Sequence, residues 1–117
     1  MPKTTMYGIA NCDTIKKAKK WLTGNDVEFN FHDYRKDGLD QALLETLEAQ
    51  LGWENLLNKR GTTFRKLSEE QKADLDREKA LALLIEHPAM IKRPVLVSDE
   101  GFHLGFKAEQ YQGIFNP

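Results

Sequence analysis

Cys12 has the clearest capacity for covalent chemistry, and it is the single cysteine of this 117-residue chain. It follows a strand-like run at residues 4–9 and precedes a helical periodicity that begins at Ile15. The start of a helix carries unpaired N–H groups and a partial positive charge, and both stabilise a thiolate relative to a thiol. The position therefore predicts a thiolate nucleophile that performs thiol redox chemistry.

The main alternative for a lone cysteine is the role of a small buried apolar residue. The polar neighbours Asn11 and Asp13 favour the reactive role. Ile15 stands where the second cysteine of a Cys-x-x-Cys pair would be, so an external thiol such as glutathione must release any sulfur adduct on Cys12. A chain with one cysteine forms no internal disulfide, which indicates a reducing, cytoplasmic setting.

Cations that could bind an anionic substrate lie in two other segments. Arg93 precedes Pro94, which opens a strand at residues 95–97. Pro94 is the candidate residue that shapes a substrate edge beside Cys12. Arg93 could then pair with an anionic substrate or with the thiolate; a surface cation beside an ordinary strand-edge proline is the equally weighted alternative. Lys59 and Arg60 suit an oxyanion or a glutathione carboxylate, although solvated charge is the more common role of such a loop.

Composition excludes several other classes of function. The 17 basic and 18 acidic residues give a net charge of −1, which does not favour nucleic acid or an anionic membrane as a partner. The longest apolar run, residues 80–85, is too short to span a bilayer. The three histidines are scattered and offer no metal-ligand spacing. We therefore expect no metal and no tightly bound cofactor.

The elements that must position these residues begin with a βαβ unit. A strand at residues 4–9, a helix from Ile15 to about Gly24 and a strand at residues 27–31 predict two parallel strands joined by a helix. Helices are then expected at residues 40–51 and 53–57, followed by a polar loop at residues 58–63.

The second half of the sequence predicts a capping box, a β-hairpin and a C-terminal helix. Ser68 and Gln71 fit the capping box, and the helix is expected to continue, with a break, to His87 before Pro88 ends it. Strands at residues 95–97 and 102–106 follow, then a helix at residues 108–113. This order predicts an α/β, thioredoxin-like fold. A mixed four-stranded sheet, βαβ plus ββα, would form one domain over residues 1–117, with a helical insertion between its halves at about residues 40–90.

Several segments, in the same order along the chain, resemble the ArsC/Spx family. Residues 7–18 carry the resemblance around the cysteine, Tyr-Gly-Ile-Ala-Asn-Cys-Asp-Thr-Ile-Lys-Lys-Ala, and it recurs at residues 31–35, 56–63, 91–94 and 104–106. It covers essentially the whole chain and is strongest toward the YffB-type branch of ArsC-like reductases. The resemblance implies a thioredoxin-like fold with a helical insert, and glutathione- or glutaredoxin-coupled reduction through one cysteine.

The resemblance also implies an anion-binding set. In the arsenate reductases of the family, an arginine triad binds the oxyanion. Arg93 matches one member, the second falls at Asn58 beside Lys59 and Arg60, and the third falls near Lys107, a lysine in place of an arginine. A lysine lacks the forked donors of arginine, so affinity for a tetrahedral oxyanion should fall. Asn11, next to the cysteine, completes the predicted set of anion-binding residues.

Three functions remain open at this point. The first is a glutathione-dependent monothiol reductase that acts on a small-molecule or protein mixed disulfide, with glutaredoxin as a further partner. The second is a regulatory module that binds RNA polymerase, as the Spx-like relatives do; the absence of a Cys-x-x-Cys switch counts against it. The third and least favoured is an arsenate reductase proper.

Overall fold

The computed structural model describes residues 4–10, 12–99 and 101–115. These residues pack as two compact units. The sheet unit contains the described residues up to Gly38 and from Arg93 onward, and the helical unit is Leu39–Lys92. The organisation as a single domain stays a prediction.

The sheet unit is a mixed sheet with helices. Its strands stand in the order β2-β1-β3-β4, with β1 parallel to β2 and antiparallel to β3, and with β3 antiparallel to β4. The predicted α/β, thioredoxin-like fold is confirmed, since a βαβ unit and a ββα unit share one four-stranded sheet. The elements are β1 (Thr5–Gly8), α1 (Asp13–Gly24), β2 (Asn30–Asp33), β3 (Val95–Ser98), β4 (Gly101–Leu104) and α7 (Ala108–Phe115).

The core of the sheet unit forms where α1 and α7 cover one face of the sheet. Apolar residues at helical spacing give α1 a fully buried face made of Ile15, Ala18 and Leu22. This face packs with Met6, Leu96 and Tyr111, which are also fully buried and come from β1, β3 and α7. Burial of these side chains holds the start of α1 against the end of β1.

The start of β2 and the end of β4 are among the strand boundaries that differ from the sequence-based prediction. β2 begins at Asn30, because the Val27 N–H donates to the Leu22 carbonyl at 2.9 Å and so belongs to the turn that ends α1. β4 ends at Leu104, because Gly105 adopts a φ of +84° and turns the chain. The Gly105 N–H donates to the Pro94 carbonyl at 2.8 Å, which fixes this turn against the start of β3.

The helical unit is a set of short helices around an apolar core. A 3-10 turn at Pro88–Met90 follows the last of them. Its core residues include Leu44, Leu47, Leu56, Leu84 and Ile91. The helices are α2 (Gln41–Leu51), α3 (Trp53–Leu56), α4 (Thr62–Arg65), α5 (Glu69–Lys72) and α6 (Arg77–Glu86).

Local capping explains where several of these helices begin. The predicted capping box is confirmed, as the Ser68 hydroxyl accepts the Gln71 N–H and the Gln71 side chain accepts the Ser68 N–H. The predicted break precedes Asp76, which caps α6 by accepting the Lys79 N–H.

Helix α4 occupies part of the segment that the sequence predicts as loop. Among the helices of the described residues, none is long and apolar enough to cross a bilayer.

Candidate active site

Cys12 lies in the connection between the end of β1 and the start of α1. It is the N-cap residue of α1, with extended backbone angles (φ −145°, ψ 128°). Its carbonyl accepts the Lys16 N–H at 3.0 Å, and its own N–H donates to the Ala10 carbonyl at 3.0 Å. The side chain is partly buried and packs against the core of the sheet unit. The predicted position at a helix start is confirmed, while the role of nucleophile stays a prediction.

Ile15 fills the position that a second cysteine would occupy, and it is a core residue. It is fully buried and passes very close to Gly8 at the end of β1. A methyl group placed on Gly8 would lie 2.5 Å from Ile15 Cδ1 and 3.9 Å from Arg93 Cβ. Glycine is therefore required where α1 meets the strand, and Cys12 has no resolving thiol at this spacing.

The Asp33 carboxylate joins the end of β2 to the loop that leads to Cys12. Its Oδ2 accepts the Ala10 N–H at 3.2 Å, and its Oδ1 accepts the Arg35 N–H at 2.8 Å and the Lys36 N–H at 3.4 Å. Asp33 is 8% exposed. Three backbone donors thus hold one buried carboxylate, which fixes the residue two positions before the cysteine.

These donors set the charge state of Asp33. Burial raises the pKa of the Asp33 carboxyl. The N–H groups of Arg35, Ala10 and Lys36 lower it, and so does the positive charge of Arg35. The effect of the donors is larger than that of burial, so the pKa lies below its ordinary value and the group is ionised near neutral pH.

The sequence alone predicts no role for Asp33. Its place at the end of a strand parallel to β1 was the available signal, because parallel strands end at the same edge of a sheet.

Arg93 and Pro94 lie at this same edge of the sheet unit. Their peptide bond is cis, and Pro94 is buried, whereas Arg93 is partly exposed. Val95, the next residue, pairs with Tyr7 of β1. Cys12 follows the end of β1 and Pro94 precedes the start of β3, so the antiparallel register brings both to one end of the strands.

Tyr34 contributes a buried hydroxyl to this end of the sheet unit. Its side chain is 3% exposed, and its hydroxyl has no hydrogen-bond partner in the described part of the chain. Burial raises the pKa of the Tyr34 phenol and the nearby Tyr7 adds to that rise, while the positive charge of Arg93 acts in the opposite direction.

Lys59 and Arg60 lie in the helical unit, where they line a cleft of about 420 Å³. Lys92 adds a third cation to this cleft, and Glu54 adds one carboxylate. The excess of positive charge suits a ligand that carries a carboxylate or another anionic group. The sequence analysis identified two of these cations but missed Lys92, which is distant in sequence from the loop.

Asn58 shapes this loop. Its side-chain oxygen accepts the Arg60 N–H at 3.1 Å, and its backbone N–H donates to the Met90 carbonyl at 2.8 Å. A methyl group on Gly61 would lie 3.1 Å from the Asn58 amide nitrogen. The Asn58 side chain therefore supports the loop that carries Lys59 and Arg60.

The other predicted site residues are placed as follows. Lys107 is exposed in the turn between β4 and α7, and its carbonyl accepts the Tyr111 N–H at 3.0 Å. Asn11 lies outside the described residues. Across residues 4–10, 12–99 and 101–115, no group of three or more histidine, cysteine, aspartate or glutamate side chains could hold a metal ion.

A mixed four-stranded sheet with a cysteine at the start of its first helix defines the thioredoxin-like fold class, and comparison with known proteins identifies the family within it. Residues 7–114 match the ArsC family, so the chain belongs to that family. The family predicted from the sequence is confirmed.

Relatives and solved structures agree with this assignment. An uncharacterised protein of Haemophilus influenzae is 50% identical, over 95% of this chain and 97% of its own length. The structure of a YFFB protein has a TM-score of 0.88 and 48% identity, covering 94% of this chain and 96% of that one. An arsenate reductase (ArsC) related protein from Brucella melitensis has a TM-score of 0.81 and 45% identity, covering 100% and 97% of the two chains. The global transcriptional regulator Spx 2 of Lactococcus lactis is 25% identical, over 94% of this chain and 84% of that protein.

Proposed function

We propose that this ArsC-family protein is a glutathione-dependent monothiol oxidoreductase in which the Cys12 thiolate is the nucleophile. The observation that supports it most directly is the geometry around Cys12: the residue caps α1, and buried Ile15 takes the place of a resolving cysteine. A helix start stabilises the thiolate. The lack of a second thiol requires an external one, and glutathione supplies it in the cytoplasm, the proposed location.

The proposed reaction is a pair of thiol–disulfide exchanges. The Cys12 thiolate attacks the glutathionyl sulfur of a mixed disulfide; a Cys12–glutathione bond forms, the substrate S–S bond breaks, and the substrate leaves as a thiolate that takes a proton from solvent. A second glutathione thiolate then attacks the glutathionyl sulfur on Cys12. This step restores the Cys12 thiolate and yields glutathione disulfide. In sum, one mixed disulfide and one glutathione become a free thiol and glutathione disulfide.

The cationic residues bind anionic groups in this proposal. In the sheet unit, Arg93 pairs with an anionic group of the substrate or with the thiolate, Pro94 shapes the substrate edge, and Lys107 adds charge. In the helical unit, the cleft cations Lys59 and Arg60 bind a carboxylate. Asn11 is the remaining member of the set, and glutaredoxin is proposed as an alternative electron donor.

Disulfides are favoured over arsenate as substrates. A tetrahedral oxyanion is best held by forked guanidinium donors. The position of one arginine of the related site is taken by Asn58, whose oxygen is engaged by the Arg60 N–H, and another falls at Lys107. We therefore expect little or no arsenate-dependent turnover with glutathione and glutaredoxin.

A comparison of Cys12→Ser with the wild type tests the proposal. Turnover of a glutathionylated peptide with glutathione should fall to the uncatalysed rate, because serine is a far weaker nucleophile toward sulfur. Thr14→Ser is the matched control in the same helical turn and should retain the wild-type rate. Equal rates for Cys12→Ser and wild type would refute the enzymatic function.

A second candidate is a regulatory module that binds RNA polymerase, and the similarity to Spx 2 along most of both chains supports it. Ile15 weighs against it, because a one-cysteine site cannot form an internal disulfide switch. Purified protein should retain the polymerase α-subunit domain in a pull-down if this second function is correct, whatever residue stands at position 12. The leading proposal expects no such retention.

A further inference from the structure

Helix α1 presents a row of cations directly after the nucleophile. Lys16, Lys17 and Lys20 are exposed and form what we term the lysine face. They recur at the spacing that aligns residues on one side of a helix. The opposite side of the helix is buried in the core of the sheet unit. The lysine face is therefore held toward solvent by the same packing that fixes the start of α1.

The lysine face lacks the intramolecular partners that surface cations commonly have. Within the described residues, none of its three lysines has a carboxylate at ion-pair distance. Arg77 of the helical unit, by contrast, lies 2.9 Å from Glu48. Asp13 is the one acidic residue of α1, against four lysines, and Lys19 covers the Phe31 ring at 3.6 Å. The positive charge of the face is thus available to another molecule.

The position of the face relates it to Cys12. A helix rises about 1.5 Å per residue, so Lys16 and Lys20 lie about 6 and 12 Å along the axis from the capping cysteine. These distances are comparable to the ~10 Å Debye length at 0.1 M salt, so the charges act on whatever approaches the thiol. Any polypeptide whose disulfide meets Cys12 brings the residues beside its own cysteine close to this helix.

We propose that the lysine face is a docking surface for an acidic peptide segment that flanks the disulfide of the substrate. This inference rests on the proposed function and names its substrate class: polypeptide mixed disulfides with aspartate or glutamate next to the cysteine. Complementary charge raises the association rate and selects among partners. The net charge of the chain, −1, gives no general attraction for polyanions, so the preference is local to α1.

The test compares two glutathionylated peptides that differ only in their flanking residues, glutamate in one and lysine in the other. The wild type should show kcat/KM about tenfold higher for the acidic peptide at low salt, and high salt should reduce this ratio toward one. K16E/K20E should abolish or reverse the ratio. Both side chains are exposed, and a glutamate at position 16 suits the positive end of the helix dipole, so this variant is expected to fold.

R65E/K66E is the matched control. Arg65 and Lys66 are exposed cations of the helical unit, and the substitution changes the net charge by the same amount. It should keep the wild-type ratio. The ratio is the decisive readout because a change in thiol reactivity affects both peptides equally. A wild-type ratio near one, or a ratio that K16E/K20E leaves unchanged, would overturn the docking surface.

Direct binding separates this inference from the proposed function. The Cys12→Ser protein should bind the unmodified acidic peptide more tightly than the basic one, as measured by fluorescence anisotropy, and K16E/K20E should remove the difference. Equal binding of both peptides would overturn the docking surface whether or not the wild type catalyses exchange. Charge-selective binding combined with no Cys12-dependent exchange would instead refute the enzymatic function.

Discussion

At the scale of single residues, Asp33 connects the end of β2 to the loop before Cys12. One buried carboxylate accepts N–H groups from the loop before Cys12 and from the turn after β2. Its partners are backbone N–H groups in partly buried hydrogen bonds, so a substitution at Asp33 leaves these donors without their acceptor. Such a loss is costly where water does not fully replace the lost acceptor.

We predict that Asp33→Asn lowers the free energy of unfolding by about 1–3 kcal/mol at neutral pH. The pKa of Asp33 is lower in the folded protein than in the unfolded chain, so its contribution is complete above the unfolded value of about 3.9. That contribution is lost as the pH falls through the folded pKa. Urea unfolding of both proteins between neutral pH and about pH 3 should show their difference shrinking with acid.

Asp26→Asn is the control for this experiment. Asp26 is exposed, and asparagine tolerates its φ of +58°, so the free energy of unfolding should change by less than about 0.5 kcal/mol. A difference between Asp33→Asn and wild type that stays constant from neutral to acid pH would contradict the role assigned to the ionised carboxylate.

At the scale of elements, the contact between β1 and α1 permits no side chain at Gly8. We predict that Gly8→Ala lowers the free energy of unfolding by about 1–3 kcal/mol, because the new methyl group overlaps a buried Ile15. Gly24→Ala is the matched control, since a methyl group there meets no atom within 4 Å. Urea denaturation measures both, and equal stability of the two variants would contradict this packing.

The order of elements could be predicted from the sequence because α1 and α2 carry clear helical periodicity and the strands are β-branched or alternate. The four-residue helix α4 is too short to show a period, so the sequence predicts loop over its first two residues. The start of β2 was placed too early because Val27 continues the alternation, although its N–H binds the end of α1.

Some residues of the candidate site could likewise be located from the sequence, and others could not. Cys12 could be located from sequence because a change of period marks the strand-to-helix turn. The contact between Asp33 and Ala10 joins residues 23 positions apart through a side chain and a backbone N–H, and no periodicity reports it. Lys92 was missed because the antiparallel bridge between Leu57 and Ile91, which brings it to the loop, is formed by two isolated residues.

At the scale of the whole molecule, ligand binding should raise the free energy of unfolding. If the cleft of the helical unit binds a carboxylate of glutathione, a concentration about tenfold above Kd adds about 1.4 kcal/mol to the free energy of unfolding, or roughly 6 °C in Tm. Calorimetry with glutathione or its S-methyl derivative measures this shift. K59A/R60A should reduce it, and R65A/K66A should not. A shift that K59A/R60A leaves intact would contradict the assignment of the cleft.

Because Ile15 stands in place of a second cysteine, the chain cannot itself release a disulfide formed on Cys12. Any disulfide that Cys12 forms joins the protein to a second molecule, because the chain holds no second thiol that could displace it and its methionine thioethers do not take part in thiol–disulfide exchange. The lifetime of such an adduct is then set by the concentration of thiol in the surroundings. The fraction of protein carrying an adduct would rise whenever that thiol pool is depleted, which makes occupancy of Cys12 a record of recent oxidative conditions.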